Sequence, residues 1–559
     1  MSFTPSKPAI SQAFLSVFLL LLASAVGAPA QTFTNLYSFV AAEGANPYYE
    51  RMVQGVDGNL YGTTYTDGAN GNGTVFKITP GGTLTTIYNF CAAAGCADGA
   101  LPEAGLTLGT NGNFYGTTAT GGASGDGTIF EVTPAGKLTT LHSFDGGDGS
   151  SPQATLLLAN DGNFYGTTTQ GGVGVGTVFK ITAAGKFTLL HTFNGDGAIP
   201  QNGSLVEGAN GNFYGTTTYG GTNNDGTVYK MTPAGKLTTL HSFCSLTGCA
   251  DGLFPVAGLV LASNGNFYGT TERGGNPGNG TVFEMNSSGT LSTLYTFCAL
   301  PGCPDGDSPA GTLIQGTDGN LYGETAAGGQ SASGGGTIFQ ITLNGVLTTL
   351  YNFCSVGGGN CFDGNGPMGT LFEDTSGTLY GTTYGGGTGE IGTVFSVTDG
   401  LPAFIETLAP SGKVGARATI LGSSLTGSTS VSFNGTLATT FKVISTSEIT
   451  ATIPAGASTG SVQVATPGGT LSTLLAFKVI PQLESFTPPR GAVGSQVVIT
   501  GVSLTQTSKV TFGGVAAAFT VNSDTQVTAT VPAGAKTGKI VITTPGGTAS
   551  STTSFTVTT

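Results

Sequence analysis

The sequence predicts an all-β protein: a seven-bladed β-propeller closed by its own N-terminal strand, followed by two immunoglobulin-like β-sandwiches. Three observations predict this fold class. A short phrase recurs seven times at a period of roughly 50 residues, which indicates an array of one supersecondary unit. A strand motif that the last repeat lacks stands alone at the N-terminal end. Beyond residue 400 the period changes to 78–79 residues, with the short strands and turns typical of small sandwiches.

The first thirty residues are typical of an export signal. Lys7 precedes an apolar stretch from Phe14 to Val26, and Ala28-Pro29-Ala30 offers a small-residue cleavage site before Gln31. The apolar stretch is too short to span a bilayer as a settled helix. We therefore expect a signal peptide over residues 1–30, a secreted or cell-surface location, and no membrane insertion after cleavage.

Composition limits the class of partner. Only 8% of the 559 residues are charged, the net charge is −13, glycine reaches 95 and tryptophan is absent. With 38% hydrophobic residues this is a β-rich, turn-rich chain rather than a disordered one. An acidic chain with 17 lysines and arginines lacks the basic footprint of a nucleic-acid-binding protein.

Each repeat divides into four predicted strands, as a propeller blade does. In the second repeat we expect strands at Gly105 to Gly109, Asn113 to Ala119, Thr128 to Thr133 and Lys137 to Phe144. Asn-Gly and Pro-Ala-Gly sequences between them favour tight turns. The second strand carries the recurring Tyr-Gly-Thr-Thr phrase, whose tyrosines are Tyr61, Tyr115, Tyr165, Tyr214, Tyr268, Tyr322 and Tyr380.

The fourth strand predicts how the array ends. Its phrase is present in six repeats and missing after Thr393 to Thr398, the third strand of the seventh. It reappears alone as Thr34 to Phe39, before the first repeat. A ring closed by its N-terminal strand requires this arrangement, and closure removes the exposed edges of an open array. We therefore assign residues 31–400 to a closed propeller.

Two tandem modules follow, over residues 401–480 and 481–559. Pro410 to Gly415 recurs as Pro489 to Gly494, and Thr466 to Gly469 recurs as Thr544 to Gly547. Each copy has alternating short strands and turn signals, which predicts a small β-sandwich.

The motifs resemble two known families. The Asn-x-Tyr-Gly-Thr-Thr, Gly-Thr-Val-Phe and Leu-Thr-Thr-Leu phrases resemble the GloVer (Gloeo/Verruco) tandem repeat of bacterial "choice-of-anchor" surface proteins. The Pro-x-Gly-x-Val-Gly, Phe-x-Gly and Pro-Gly-Gly motifs resemble IPT/TIG immunoglobulin-like domains. The first resemblance implies an exported or surface-displayed protein and implies no activity. The C-terminal end has no sortase motif, hydrophobic anchor or basic tail, so covalent or membrane anchoring is not expected.

The eight cysteines form four local pairs, which we interpret as structural disulfides on inserted loops. An even count at repeated spacing in an exported protein favours disulfides, and pairs in different repeats cannot converge on one metal ion. The pairs are Cys91 with Cys96, Cys244 with Cys249, Cys298 with Cys303, and Cys354 with Cys361.

Two further sets of residues have both a structural and a functional interpretation. His142, His191 and His241 occupy one position of the fourth strand, where other copies carry tyrosine, so we interpret them as packing residues rather than metal ligands. An Asp-Gly element after the fourth strand is interpreted as a turn, with calcium binding as the alternative and no other cofactor expected. Its aspartates are Asp98, Asp145, Asp148, Asp196, Asp251, Asp305, Asp307 and Asp363.

Carboxylates that break the repeat are the candidates for catalysis. Glu324 replaces the first threonine of its Tyr-Gly-Thr-Thr phrase, and Glu272 with Arg273 follows the phrase one repeat earlier. Glu50-Arg51, Glu103 and Glu373-Asp374 lie in or beside first strands. A glycosidase pair stands about 5–9.5 Å apart, so Glu272 and Glu324 form the runner-up catalytic pair of a polysaccharide hydrolase or lyase. The interpretation we favour is that these carboxylates are solvated loop residues.

The leading hypothesis is a non-enzymatic exported protein, a monomer that binds an extracellular glycan or surface protein through the propeller. The motif tyrosines and loops such as Gly121-Gly122 and Gly274-Gly275 either display repeated sugar pockets or pack between blades, and we favour packing. Ligand-binding residues are not identified by the sequence. A structural surface-layer component is the third alternative.

Overall fold

The computed structural model describes residues 31–172, 174–331 and 333–558. The predicted signal peptide lies outside these residues. Apart from strands, the described residues contain four single-turn 3₁₀ helices, Ala41–Glu43, Ala94–Cys96, Thr247–Cys249 and Gly358–Asn360. The predicted all-β class is confirmed. A search of the described residues finds no helix with the length and apolarity needed to cross a membrane.

Twenty-nine strands precede residue 400 in the described chain. They are β1 (Thr32–Ser38), β2 (Val53–Gln54), β3 (Leu60–Thr64), β4 (Thr74–Ile78), β5 (Leu84–Asn89), β6 (Thr107–Leu108), β7 (Phe114–Thr118), β8 (Thr128–Val132), β9 (Leu138–Ser143), β10 (Leu157–Leu158), β11 (Phe164–Thr168), β12 (Thr177–Ile181), β13 (Phe187–Thr192), β14 (Val206–Glu207), β15 (Phe213–Thr217), β16 (Thr227–Met231), β17 (Leu237–Ser242), β18 (Val260–Leu261), β19 (Phe267–Thr271), β20 (Thr281–Met285), β21 (Leu291–Thr296), β22 (Asp307–Pro309), β23 (Ile314–Gln315), β24 (Leu321–Ala327), β25 (Thr337–Ile341), β26 (Leu347–Asn352), β27 (Phe372–Glu373), β28 (Thr378–Thr383) and β29 (Thr393–Thr398).

These strands form seven antiparallel sheets in the described residues, one for each sequence repeat. Repeats 1 to 5 are the sheets β2-β3-β4-β5, β6-β7-β8-β9, β10-β11-β12-β13, β14-β15-β16-β17 and β18-β19-β20-β21. In repeat 6 the sheet is β24-β25-β26, and both β22 and β23 pair with β24. Repeat 7 is the sheet β27-β28-β29-β1. The second strands are buried along their Tyr-Gly-Thr-Thr length, because neighbouring sheets cover both of their faces.

The N-terminal strand completes the sheet of repeat 7. It pairs with β29 from Thr32 opposite Thr398 to Ser38 opposite Thr393. Phe39, directly after the strand, has no exposed surface and packs with Phe76 of repeat 1 at 5.4 Å between ring centroids. The strand therefore joins the last repeat by hydrogen bonds and the first repeat by apolar packing.

The first strands contact one another from sheet to sheet. Thr370 of repeat 7 forms a parallel bridge with Arg51 of repeat 1. The hydroxyl of Thr370 also accepts a hydrogen bond from the backbone N–H of Thr312, at 3.3 Å, and the hydroxyl of Thr312 accepts one from Gly258, at 3.0 Å. Repeats 5, 6, 7 and 1 are thus connected in series through their first strands.

A proline precedes each first strand, and the residue before it has a left-handed backbone. The φ values lie between 52° and 63° in all seven repeats, at Asn46, Leu101, Ser151, Ile199, Phe254, Ser308 and Gly366. Proline disfavours the right-handed helical region for its predecessor, and glycine, present in repeat 7 alone, is the residue that takes a positive φ without steric cost.

The residues after 400 form two sandwiches of matching topology. The first contains β30 (Glu406–Thr407), β31 (Ser411–Gly412), β32 (Arg417–Leu421), β33 (Ser430–Phe433), β34 (Thr436–Leu437), β35 (Phe441–Val443), β36 (Glu448–Thr452), β37 (Val462–Thr466), β38 (Gly469–Ser472) and β39 (Lys478–Val479). The second contains β40 (Gln482–Thr487), β41 (Arg490–Ala492), β42 (Gln496–Val502), β43 (Lys509–Phe512), β44 (Val515–Ala517), β45 (Phe519–Ser523), β46 (Gln526–Thr530), β47 (Gly538–Thr544) and β48 (Gly547–Thr558). Sheet β30-β32-β36-β35 corresponds to β40-β42-β46-β45, and each sandwich has its own buried apolar core. The predicted boundaries at residues 400 and 480 fall between strands.

The first sandwich is hydrogen-bonded to the hairpins of repeats 1 and 7. The hydroxyl of Ser447 donates to the carbonyl of Val56 at 2.9 Å, and the hydroxyl of Ser423 donates to the carbonyl of Thr375 at 3.1 Å. The carbonyl of Thr375 also accepts from the backbone N–H of Phe404, at 3.1 Å. The sandwich therefore docks against the seven-sheet region rather than hanging from a free linker.

All four predicted disulfides are formed, which confirms the pairing read from the sequence. Each bridge closes a loop that directly follows a fourth strand. Such short staples restrict the unfolded chain and fix the loop that crosses to the next repeat.

Candidate functional site: a tyrosine–glutamate cluster

The fourth-strand histidines and the Asp-Gly aspartates meet in the structure. His142, His191 and His241 each lie 2.7–3.0 Å from the aspartate of the following loop, Asp148, Asp196 and Asp251. In repeats 1, 5 and 6 a tyrosine hydroxyl donates to the equivalent aspartate at 2.7–2.9 Å: Tyr88 to Asp98, Tyr295 to Asp305 and Tyr351 to Asp363. Repeat 7 uses Tyr37 with Glu43.

This recurring outer pair accounts for all three histidines and for six of the eight Asp-Gly aspartates. The carboxylate of Asp98 also accepts hydrogen bonds from the backbone N–H groups of Ala92 and Ala93, both at 3.0 Å. It therefore ties the loop to its strand. The histidines stand where tyrosines stand in other repeats, and each contacts its own aspartate. Among the described residues no three His, Cys, Asp or Glu side chains converge on a metal-sized site.

The seven motif tyrosines are buried, which confirms the packing interpretation. Their exposed fractions run from 0 to 4%. Several stack on the phenylalanine before the next motif tyrosine, as Tyr61 does on Phe114 with 4.0 Å between ring centroids. These rings fill the space between sheets and leave no face for a ligand.

Two of the suspected glutamates are enclosed beside repeat 7. Glu50 and Glu324 are 1% and 2% exposed, so the interpretation as solvated loop carboxylates is wrong for both. Both carboxyl oxygens of Glu324 lack a hydrogen-bond partner among the described residues. Burial raises the pKa of Glu324 to about 8 and raises that of Glu50 well above its ordinary range, the backbone N–H of Thr63 offsetting part of the second rise.

The solvated interpretation is also wrong for Glu373 and Asp374, which are 8% and 4% exposed. Burial raises the pKa of Glu373 to about 7, although the hydroxyl and the backbone N–H of Thr317 both donate to its carboxylate. Asp374 accepts from Ser376 and Thr378 within its own hairpin. Asp374 therefore organises the β27–β28 turn, whereas Glu373 ties strand β27 to the β23–β24 turn of repeat 6.

Four other tyrosines, from repeats 1 and 7, gather at one place. The ring of Tyr48 lies 4.3 Å from that of Tyr49, 5.7 Å from that of Tyr65 and 5.5 Å from that of Tyr384. Tyr384 is 38% exposed and the other three are half-buried. They differ from the motif tyrosines in this access to solvent.

Two glutamates from other repeats act on these tyrosines through their charge. Burial is the main cause that raises the pKa of Tyr49, and the charges of Glu272 and Glu103 add to it. The charge of Glu103 acts on Tyr48 and Tyr65 as well. The tyrosine–glutamate cluster, Tyr48, Tyr49, Tyr65, Tyr384, Glu103 and Glu272, therefore draws on repeats 1, 2, 5 and 7.

The two glutamates differ in environment. Glu103 is 8% exposed, and burial alone raises its pKa to about 7 because no donor among the described residues reaches its carboxyl group. The side chain of Glu272 is 34% exposed, with the Nε of Arg273 3.7 Å from its Oε1. The carboxyl group of Glu103 is thus largely desolvated, whereas that of Glu272 is exposed to solvent and lies near Arg273.

The sequence reasoning missed the tyrosines of this cluster, although a length signal marks them. Eight positions separate Pro47 from Gly55 and Pro200 from Gly208, against seven in the equivalent segment of the other repeats. The additional residue brings Tyr49, with φ 49°, into repeat 1. In repeat 4 the lengthened segment contains Asn202, 9% exposed, whose amide nitrogen and oxygen have no partner among the described residues.

The two members of the runner-up catalytic pair have different surroundings. Glu272 belongs to the cluster, whereas Oε1 of Glu324 lies 2.8 Å from the place that a Cβ on Gly381 would take, inside the packing of repeats 6 and 7. Burial is the whole cause of the raised pKa of Glu324, with no contribution from Glu272.

Arg51 of repeat 1 and Glu406 of strand β30 in the first sandwich act on each other through their charges. Both side chains are exposed to solvent. Surrounding protein lowers the pKa of Arg51 and raises that of Glu406, and the charge of each opposes the shift of the other. The guanidinium of Arg51 also lies 5.8 Å from the ring centroid of Phe372.

Two family models match the chain. The Gloeobacter/Verrucomicrobia repeat matches residues 95–252 and 245–443, and the IPT/TIG domain matches residues 481–557. The second match falls on the second sandwich, whose sheet order the first sandwich shares. The comparison with curated proteins finds no match.

Solved structures with similarity to the chain are distant. The extracellular domain of a proposed one component system from B. thetaiotaomicron is 11% identical, with a TM-score of 0.42 over 92% of this chain and 57% of that one. SGBP-B from a xyloglucan utilization locus in Bacteroides uniformis is 23% identical, with a TM-score of 0.15 over 27% and 48%. A gluconolactonase from Xanthomonas campestris is 13% identical, with a TM-score of 0.34 over 54% and 88%. The chain thus spans about half the length of the first two, and TM-scores below 0.5 carry no argument about its function.

Proposed function

The chain belongs to the Gloeobacter/Verrucomicrobia repeat family, and from this premise we propose that it is an exported, non-enzymatic protein that binds an extracellular glycan. Its seven sheets form a β-propeller closed by the N-terminal strand, and the tyrosine–glutamate cluster forms the binding site at one mouth of the central channel. The family repeat matches residues 95–443, which is more than half of the chain.

Three observations support the closed propeller. Strand β1 pairs with β29, the first strands of repeats 7 and 1 form a bridge, and a single apolar core combines residues of both repeats. Closure also explains how side chains of repeats 1, 2, 5 and 7 reach one another, since a ring brings all of its first strands around one axis. The four disulfides suit an oxidising, extracellular compartment.

The single observation that carries the binding function is the cluster itself. Aromatic rings with accessible faces and carboxylates beside them are the groups that hold sugars, because rings stack on the apolar faces of pyranoses while carboxylates accept hydrogen bonds from hydroxyls. The chain places these groups where the repeat is broken, whereas the seven motif tyrosines are buried between the sheets.

A glycan-binding screen on the full chain tests the proposal. The expected result is saturable binding to at least one polysaccharide, weakened roughly tenfold by Tyr384→Ala and by Tyr65→Ala, since each removes one stacking face. Phe362→Ala is the matched control, because Phe362 is 43% exposed on the disulfide loop of repeat 6 and outside the cluster. Binding that the tyrosine variants leave unchanged would place the site elsewhere, and ordered self-association without ligand would favour a surface-layer role.

One observation favours a second candidate function, a polysaccharide hydrolase or lyase. Glu103, with a pKa raised to about 7, and Glu272 both act on Tyr49, so a carboxyl that can hold a proton stands near one in contact with solvent. Two carboxyls in different environments are the pattern of acid–base pairs. Release of new reducing or unsaturated ends that Glu103→Gln abolishes would establish this alternative in place of passive binding.

A further inference from the structure

Charge is divided unequally between the two parts of the chain. Residues 31–400 contain 26 aspartates and glutamates against eight lysines and arginines, whereas residues 401–559 contain four against eight. The formal charge is therefore −18 for the seven-sheet region and +4 for the two sandwiches. An anionic polymer is repelled by the first part and attracted by the second.

Two of the basic residues lie on the outer face of one sheet in the first sandwich. Alternate residues of strand β36 belong to the apolar core, so Thr450 and Thr452 point outward. Arg417 of β32 pairs with Thr452, and Lys442 of β35 pairs with Thr450, so one exposed cation stands on each side of β36. Because neighbouring strands lie about 5 Å apart, the backbones that carry the two cations are about 10 Å apart.

An open depression of about 130 Å³ lies between the two cations. Besides these cations, its lining includes Thr440, Thr450 and Thr452 and no acidic residue. Neither cation forms an ion pair with another of the described residues. Glu448, on the same strand as Thr450, lies outside the lining and pairs with neither of them. The positive charge of the depression is therefore not compensated within it.

The second sandwich has the same frame without the cations. At their positions it carries Gln496 and Thr520, which pair with Thr530 and Thr528 of its own central strand, β46. The threonines of the central strand are thus kept in both modules, whereas the two cations occur in the first alone. Because the second sheet forms without them, the scaffold does not require these cations, which indicates a role outside the scaffold.

The groups in this depression suit a ligand that carries carboxylates and hydroxyls. The planar guanidinium of Arg417 can donate two parallel hydrogen bonds to one carboxylate, and the ammonium of Lys442 attracts a second as a point charge. Threonine hydroxyls donate to and accept from sugar hydroxyls. We propose that the outer face of the first sandwich binds an acidic polysaccharide, whose carboxylates pair with Arg417 and Lys442. This site is separate from the tyrosine–glutamate cluster and does not depend on the function proposed for it.

Titration of the full chain by calorimetry with polygalacturonate, and with its methyl ester as the uncharged match, tests this site. We expect the acidic polymer to bind at least about tenfold more tightly than the ester, and salt to weaken its binding, because exposed charges are screened. General attraction would not produce this result, since the whole chain has a net charge of −13 and repels the polymer. Equal binding of the two polymers, or no binding of polygalacturonate, would overturn the proposal.

Exchanging residues between the two sandwiches separates the site from general effects of charge and folding. Arg417→Gln with Lys442→Thr, the residues that the second sandwich carries, should weaken polygalacturonate binding at least about tenfold and leave the melting temperature unchanged. Arg490→Gln with Lys509→Thr removes two exposed cations of the second sandwich and is the charge-matched control. An equal loss of binding in both double variants would overturn the proposal.

Two further variants leave the first sandwich intact. Gln496→Arg with Thr520→Lys places the cations on the second sandwich and should strengthen polygalacturonate binding at least about threefold, and the absence of any gain would contradict the proposed pairing. Tyr384→Ala should leave polygalacturonate binding unchanged. Loss of binding in that variant would place the polymer at the tyrosine–glutamate cluster, which would overturn the sandwich site and support the proposed function.

Discussion

The outer edges and the inner edges of the seven sheets follow different rules. At the outer edge every repeat places a histidine or tyrosine of the fourth strand against an acidic side chain of the next loop. At the inner edge the first strands vary from repeat to repeat in length and in charge: Tyr48 to Arg51 has no counterpart in repeat 3, where Pro152 to Thr155 carries no charge.

This difference separates the parts of the repeat that serve stability from those that serve recognition. A contact repeated in every sheet satisfies a requirement of the scaffold itself, namely fixing the loop that crosses to the next sheet. A residue found in one repeat alone satisfies no such requirement, so its cost in packing or desolvation indicates a different role. The predictions below test the division from the largest effect to the smallest.

Removing the strand that joins the two ends should have the largest effect. Deletion of residues 31–39 removes the β1–β29 pairing and the buried ring of Phe39, and exposes the edge of β29. We expect loss of the cooperative unfolding transition of the seven-sheet region, measured by calorimetry. Truncation after residue 480, which removes the second sandwich, is the control and should leave that transition in place. An unchanged melting curve in the deletion would count against ring closure.

Replacing Glu324, the residue that departs from the Tyr-Gly-Thr-Thr phrase, should stabilise the protein in alkaline solution. The folded-state pKa of Glu324, about 8, lies above the ordinary value near 4.5, so stability falls as pH rises from about 4.5 to about 8 and stays low above that. Glu324→Gln, or Glu324→Thr as in the other repeats, removes this loss. We expect a gain on the order of a few kcal/mol at pH 9 and little at pH 4, measured by denaturant unfolding.

Glu390→Gln is the control for position 324, because Glu390 is exposed on a loop of repeat 7 and should show no such pH dependence. A gain for Glu324→Gln that is equal at pH 4 and pH 9 would show that the carboxyl is not held neutral in the folded state.

Breaking one outer pair should have a smaller effect. Burial alone would raise the pKa of Asp251, but hydrogen bonds from the side chain of Ser245 and the backbone N–H groups of Ser245 and Leu246 outweigh it and lower the pKa. Asp251→Asn should therefore cost about 1–3 kcal/mol near neutral pH. The cost should shrink as pH falls below about 4, where the wild-type carboxylate loses its own advantage. Asp225→Asn, in another loop of repeat 4, is the control, and equal losses in both would contradict the assignment.

Replacing the histidine of an outer pair with the tyrosine that other repeats carry should have the smallest effect. Tyrosine replaces histidine at this position in other repeats and donates to the equivalent aspartate, as Tyr88 does to Asp98, so His142→Tyr should change stability by no more than about 0.5 kcal/mol. Thermal unfolding at pH 7 measures it. A loss comparable to that of Asp251→Asn would indicate that the histidine has a role of its own.

The sequence was sufficient wherever one residue type recurs at a fixed place. The four strands of each repeat, the buried motif tyrosines and the disulfides are local patterns, so periodicity and spacing predict them. The pairing of His241 with Asp251 was not predicted, although both residues were noted, because the link between them depends on how the loop folds back. Glu324 was noted as an exception, but whether a carboxyl is enclosed depends on the neighbouring sheet.

The cluster was only half predictable. Glu103 and Glu272 were singled out because they break the repeat, whereas Tyr48, Tyr65 and Tyr384 were not. No pattern within one repeat places residues of repeats 1 and 7 together, since that contact depends on how separate sheets are arranged. The signal available in the sequence was the additional residue between Pro47 and Gly55. It can be interpreted only when the arrangement of the sheets is known.

The pairing of Thr32 with Thr398 also fixes the order of events during biosynthesis. The two partners are 366 residues apart. At ~5–20 residues per second, roughly 20–70 s pass between their emergence from the ribosome. The last sheet cannot be completed before its final internal strand is made, however early the other sheets form. Because β1 directly follows the predicted signal peptide, removal of that peptide and completion of the last sheet involve the same few residues.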